Sequence, residues 1–343
     1  MGGLFNLSLW IINQMDRFQY RVVLFLLLSA FLFSSAFAFD AVDIEASGLN
    51  MGIGYRSDQF DWNISGDVEG GNPNILSELS WDDIDIYQLQ VAIWLKLGEL
   101  PFLKRNSLVL ANISFGKIMS GNVRDSDYAT DDRNNEWSRS INDANEGLTF
   151  DLSGAFGPIF KLNNVIGVSI TPLVGYGFNM QALTMTNGNQ DISEPDLSPA
   201  KTSDPPDIGS FPDLDSSYTA YWYGPWLGVN IDYQGSDQFS MTVGVEYHWV
   251  EYFAQADWNL RSDFAHPVSF EHESTGTGLV WNIQSQYMFN DQWSWLFSGK
   301  IQNWETESGS DRTFFAVGTV GLSRLNEVNW SSYALTTGVQ YRF

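Results

Sequence analysis

Cysteine is absent from all 343 residues, which excludes disulfides, thiolate metal sites and a cysteine nucleophile. Positive charge is scarce. Seventeen Lys and Arg stand against 41 Asp and Glu, a formal net charge of −24. A nucleic-acid partner needs a basic surface, so that class is excluded as well. The balance favours attraction to cationic partners, an effect that salt weakens. Histidine occurs only at positions 248, 266 and 272. Beyond residue 38 no apolar run is long enough to form a membrane-spanning helix. Proline is sparse outside one stretch, where Pro195, Pro199, Pro205, Pro206 and Pro212 mark an extended or irregular loop.

Aromatic residues, in contrast, are abundant: 14 Trp, 14 Tyr and 24 Phe make up 15% of the chain. So many rings in so acidic a chain fit a transmembrane barrel, which carries aromatic girdles at both bilayer interfaces and keeps its loops and lumen polar. The N-terminus agrees. Arg17 and Arg21 precede the apolar run Val22–Phe33, and Ser34-Ser35-Ala36-Phe37-Ala38 follows as a small-residue cleavage pattern. Residues 1–38 are expected to be a secretory signal peptide and residues 39–343 the mature barrel. Met15 is an alternative start. Removing residues 1–38 takes away Arg17, Arg21 and Asp16, leaving the remainder one unit more negative.

Period-two alternation dominates after Phe39. In Phe239–Trp249 one face carries Phe239, Met241, Val243, Val245, Tyr247 and Trp249, and the other carries Ser240, Thr242, Gly244, Glu246 and His248. In Asp83–Leu97 the apolar phase shifts near Tyr87, which suggests a bulge there. Connections alternate between short (Lys161–Asn164, Gly235–Gln238, Asn290–Gln292) and long (Ser65–Asn74, Ser126–Ile141, Gly188–Ser216, Leu260–Val268, Glu305–Asn329). The expected fold is therefore all-β: a ten-stranded antiparallel transmembrane β-barrel with long extracellular loops, in the outer membrane of a Gram-negative bacterium. Strands are expected to start near Asp43, Ile75, Ser107, Asn142, Val165, Ser217, Phe239, Ser269, Trp293 and Ser331. The last alternating strand ends at Phe343, resembling the signal read by the outer-membrane assembly machinery. A soluble sandwich would need shorter strands.

For chemistry, the chain offers the polar, turn-rich stretch Gly121–Glu146, with Asp125 and Asp127 one residue apart. Close carboxylates can push one pKa toward neutrality, so this pair is a candidate half of a reactive centre. The plainer alternative is a solvated acidic loop.

Several strings resemble the omptins, the ten-stranded outer-membrane aspartate proteases. They are Asp207-Ile208-Gly209-Ser210-Phe211-Pro212, Tyr221–Tyr233, Gly121–Tyr128, Asp143–Glu146, Leu79-Ser80-Trp81 and Gly338–Phe343. The resemblance implies an aspartate pair, matched here by Asp125 and Asp127, facing an Asp-x-His unit that activates water. Carried on without a gap, that unit reads Asp257-Trp258-Asn259, with Asn259 at the histidine position and Gln255 where omptins favour a basic residue. Asn cannot take a proton from water; its amide only forms hydrogen bonds, and losing a general base typically removes roughly 10²–10⁴-fold of rate. His266 is the weak candidate to replace it. His248 reads as a lumenal hydrogen-bonding residue beside Glu246. Strict alternation would also put Asp257 on the lipid-side face of Tyr247 and Trp249, unless a bulge intervenes or the strand has risen clear of the membrane.

The expected function is thus an omptin-like barrel with an acidic extracellular cleft for cationic peptides or proteins, its proteolysis lost or altered. An active aspartic endopeptidase cleaving near basic residues is the alternative. A small-solute channel is a third reading, though ten strands leave little lumen. No cofactor is expected. The resemblance implies lipopolysaccharide as an activating lipid.

Overall fold

The computed structural model describes residues 43–100, 103–162, 165–198 and 205–343; the expected signal peptide lies outside them. Fourteen strands form one closed antiparallel sheet. They are β1 (Ile44–Ile64), β2 (Ser77–Leu100), β3 (Arg105–Thr130), β4 (Asn134–Asp143), β5 (Gly147–Pro158), β6 (Phe160–Lys161), β7 (Val168–Ser193), β8 (Gly209–Ser210), β9 (Asp215–Gln234), β10 (Phe239–Asp257), β11 (Phe270–Met288), β12 (Trp293–Thr306), β13 (Gly309–Phe314) and β14 (Val320–Arg342). Three staves are interrupted. β4, β5 and β6 succeed one another along β7; β8 and β9 do the same on the other side of β7; β12 and β13 both lie between β11 and β14. The wall therefore has ten staves, and β14 pairs with β1 to close it.

Closure removes every sheet edge, the condition for backbone to cross lipid. The outward face supplies the apolar band. Ile53, Leu89, Ile93, Phe115, Leu227, Ile231, Trp281, Ile283, Phe297, Ile301 and Leu335 are all exposed there. Tyr55, Tyr87, Tyr247, Trp249 and Tyr333 rim it toward the long loops, and Tyr233, Tyr287, Trp293 and Trp295 toward the short turns, the two girdles of an outer-membrane barrel.

The inward face is polar in its lower half. Arg56 donates from Nε to Asp58 (2.7 Å) and from Nη1 to Asp151 (2.9 Å), tying β1 to β5, and Trp330 Nε1 donates to Asp58 (3.0 Å). Buried charges survive only when paired in this way. A cavity of about 530 Å³ lies here, lined by groups such as Asn112, Asn179, Asn230, Glu246 and Asn282. His248 faces inward, buried, at 3.0 Å from Glu246, as the alternation implied.

Above this cavity the lumen is filled rather than open. Phe60 and Trp62 (β1), Trp81 (β2), Tyr218 and Trp222 (β9), Tyr252 (β10), Phe270 (β11), Trp304 (β12) and Trp330 (β14) are all buried and interlock ring against ring. His272 sits among them, bonded through Nδ1 to the Tyr218 hydroxyl at 2.9 Å.

Two of the expected long loops need correction. Ser126–Ile141 is not a long loop, because β3 runs to Thr130 and β4 begins at Asn134. Likewise most of Glu305–Asn329 is strand: the end of β12, all of β13 and the first part of β14. Above the membrane the outward face meets water instead of lipid, so apolar-out alternation stops while the hydrogen-bond ladder continues. The irregularity expected near Tyr87 is present just before it: the β2–β3 register shifts between Asp82 and Asp85 and again between Asp85 and Ile86, and Asp83 has φ 52°. The change of apolar phase has a further cause. Ile84 and Ile86 point into the plug, whereas Tyr87, Leu89 and Ile93 point out to lipid.

Candidate functional site

Asp125 and Asp127 stand on the inward face of β3. Their strand partners on β2 are Leu79, part of the buried core, and Ser77. Met119 is the last exposed outward apolar side chain on β3, so the pair lies above the membrane, at the barrel mouth just over the aromatic plug. The setting is crowded. Burial pushes Asp125 well above the ordinary carboxylate range, and the neighbouring charge of Asp127 adds to this. Burial likewise raises Asp127, to about 6, against a hydrogen bond from Ser77.

A cation on the β10–β11 loop bears on the pair through its charge alone, its ion pair being with Asp263. Arg261 interacts electrostatically with both Asp125 and Asp127 and draws both carboxyls down. Its guanidinium also donates to Asp263 from Nε (2.9 Å) and Nη2 (2.8 Å) and lies 4.0 Å from the ring centroid of Phe264. Burial acts against the Arg261 charge, but Asp263, Asp127 and Asp125 outweigh it and raise its pKa.

Asp257 ends β10, and the register of β10 with β9 and β11 runs unbroken up to that end. Tyr252, Ala254 and Ala256 are buried against the core, so Asp257 shares the outward face with Tyr247 and Trp249. No bulge intervenes; the strand has risen clear of the membrane. Asp257 Oδ1 lies 2.6 Å from His266 Nδ1, both side chains part-exposed. The hydrogen bond to Asp257 raises the His266 pKa. An Asp–His unit therefore exists, made with His266 nine residues along rather than with the next residue but one. By register the aspartate pair belongs to the inner face of the wall and Asp257 to the outer.

Asn259 occupies a different role from a general base. Its Oδ1 accepts from Asp215 N and Ser216 Oγ, both at 3.0 Å, and its Nδ2 donates to the Asp213 carbonyl at 2.7 Å. It clamps the β10–β11 loop to the start of β9. Gln255, also outward, donates to Glu271 at 2.9 Å. The sequence reading did not single out Arg261. An arginine in a loop of an acidic chain gives no local signal of where it points.

A family model described as "Pom: Protochlamydia outer membrane protein" matches residues 50–343. The chain belongs to the Protochlamydia outer membrane protein family. Membership places it in the outer membrane of a Gram-negative bacterium. No curated protein sequence matches this member of the family. Among solved structures, the outer membrane protease OmpT from Escherichia coli superposes with a TM-score of 0.66 at 15% identity, covering 88% of this chain and 98% of that one. That likeness bears out the omptin resemblance at the level of fold. The translocator domain of the autotransporter NalP from Neisseria meningitidis reaches only 0.36 at 11% identity, covering 92% and 95%. A FadL homologue from Pseudomonas aeruginosa reaches 0.29 at 8%, covering 87% and 90%.

Proposed function

We propose that this barrel is a surface receptor whose acidic extracellular mouth captures cationic peptides or proteins without cutting them. The observation that carries this reading is the inward Asp125/Asp127 pair, set on β3 at the barrel mouth just over the plug. A net charge of −24 steers cationic ligands toward it. The plugged lumen weighs against a solute channel. The outward register of Asp257 weighs against hydrolysis, because a general base must come within hydrogen-bond reach of the water it activates at the scissile bond.

Endopeptidase activity is the second reading, favoured by the 2.6 Å Asp257–His266 contact. A fluorogenic peptide with paired arginines, added to barrel refolded with lipopolysaccharide, separates the two. The receptor reading expects a polarisation change on binding with no release of fluorophore. Cleavage that disappears in both Asp125→Ala and His266→Ala contradicts it. Lipopolysaccharide is included because the omptin-like fold implies that lipid as a partner.

A further inference from the structure

Below the aromatic plug the lumen is a cup. Its cavity of about 530 Å³ is capped by His248 and Trp304 and reaches the short turns at Gln234, Gln238 and Asp291, so it opens at the end opposite the acidic mouth. Small-molecule sites typically enclose roughly 300–1,000 Å³, and this volume lies among them. Small inward residues, Gly52, Ala92 and Gly338 among them, leave the space. Near the opening Trp94 lies flat on the wall. A Cβ at Gly48 would stand 2.6–2.7 Å from three consecutive indole atoms, Cζ2, Cε2 and Nε1, so the ring turns a face, not an edge, to that glycine. Trp94 Nε1 donates to Gln340 Oε1 (3.1 Å), which fixes the ring with its other face toward the cavity. The Lys96 ammonium stands 5.8 Å from the ring centroid, one step nearer the opening. One step toward the plug, about 7 Å along the strands, Asn50 and Asn112 flank Ala92 from the two neighbouring strands. Asn112 is exposed within the cavity, and Asn50 Oδ1 has no donor among the described residues.

The lining differs in charge from the chain as a whole. Asp151, Asp232, Glu246 and Asp291 stand against Lys96, Lys300 and Arg342, and Asp151 is already paired with Arg56 at 2.9 Å. In a chain of net charge −24 this pocket is therefore close to neutral, which favours neither cations nor anions. It offers instead a flat apolar ring face and amides that both donate and accept, the groups that suit a ligand rich in hydroxyls. We propose that the cup is a binding site for a neutral saccharide, entered from the periplasmic, short-turn end. Trp94 stacks on the C–H face of a pyranose ring, and the Asn50 and Asn112 amides bond the hydroxyls at its edge. The plug above stops passage, so the cup holds its ligand rather than conducting it. The proposal shares no residue with the acidic mouth and stands independently of the receptor reading.

The test uses the full barrel in detergent and three probes, maltose, cellobiose and di-N-acetylchitobiose, each titrated calorimetrically. At least one is expected to bind with a Kd of about 1 mM or tighter. Trp94→Ala is expected to weaken that binding at least about fivefold, the loss of one stacked ring. Asn112→Leu keeps the ring and removes a lumenal amide; it is expected to weaken binding as well, and it decides the matter if Trp94→Ala fails to fold. Trp295→Ala, which removes an exposed indole from the outer girdle, is expected to leave the affinity unchanged. A dibasic peptide is expected not to compete with the saccharide. Binding of none of the three probes, the result of a lumen that holds water only, overturns the proposal. So does an affinity within twofold of wild type in either folded lumenal variant, an equal loss in Trp295→Ala, or competition by the peptide. A peptide that fails to bind at all overturns the receptor reading alone, and the saccharide titrations still decide the cup.

Discussion

Asp127 illustrates what the mouth costs the fold. Its carboxyl is raised from 3.8 to about 6 in the folded barrel, chiefly by burial. The folded state thus holds its proton more tightly than the unfolded chain, and stability falls as pH rises between those two values. At roughly 1.4 kcal/mol per pKa unit the penalty at neutral pH is on the order of 1–3 kcal/mol once solvent screening at the open side is allowed for. Asp127→Asn is therefore expected to raise the Tm in detergent at pH 7.5 and to leave it unchanged near pH 4, measured by thermal unfolding at both pH values. His266 behaves in the opposite sense. Its pKa is raised by Asp257, so the pair stabilises the loop below the ordinary histidine value, and that contribution fades as pH climbs through the raised one. Asn259 carries three hydrogen bonds between loop and strand. Replacing it with histidine, the residue the omptin pattern expects, is expected to destabilise the barrel by about 1–3 kcal/mol and to yield no peptide cleavage. Cleavage restored by Asn259→His would mean that the loop reorganises around an omptin-like unit.

At the scale of elements, the aromatic plug is the main structural commitment. Trp222 touches Tyr252, Trp304 and Trp330 and is fully buried. Trp222→Ala is expected to destabilise the barrel by about 3–5 kcal/mol; a Tm equal to wild type would show that the rings do not act as a packed core. Much of the wall was legible in the sequence, since apolar-out alternation fixes the membrane-embedded part of each strand. Eight of the ten expected strand starts lie within three residues of the structure's; the exceptions begin at Asn134 and Val320 rather than Asn142 and Ser331. Both belong to the part above the membrane, where the outward face no longer meets lipid and the apolar-out alternation that marks a strand stops. The plug was less legible. Trp222, Trp304 and Trp330 are inward aromatics where a polar lumen was expected, and period two alone does not tell a ring facing lipid from one facing the core. The pairing of Asp257 with His266 was hidden for a different reason. It depends on how a loop folds back, which neither strand period nor sequence spacing encodes.

For the whole molecule, the proposed receptor role has a closed ten-stave wall, an aromatic stopper and an acidic mouth meet ligands at the rim rather than pass them through. Planar bilayers containing the protein are accordingly expected to show no stepwise conductance. On the proposed receptor role, a net charge of −24 makes capture electrostatic in its early stage, so affinity for a dibasic peptide is expected to weaken as ionic strength rises and the Debye length falls below about 10 Å. The inner and outer carboxylates divide the account cleanly. Asp125 and Asp127 face the mouth, while Asp257 faces outward beside His266. The most direct measurement is calorimetric titration of a dibasic peptide into wild type, the Asp125→Asn/Asp127→Asn double variant and Asp257→Asn. The receptor account predicts at least a tenfold loss of affinity in the double variant and wild-type affinity in Asp257→Asn. Equal binding by the double variant and wild type, or a loss confined to Asp257→Asn, would contradict it.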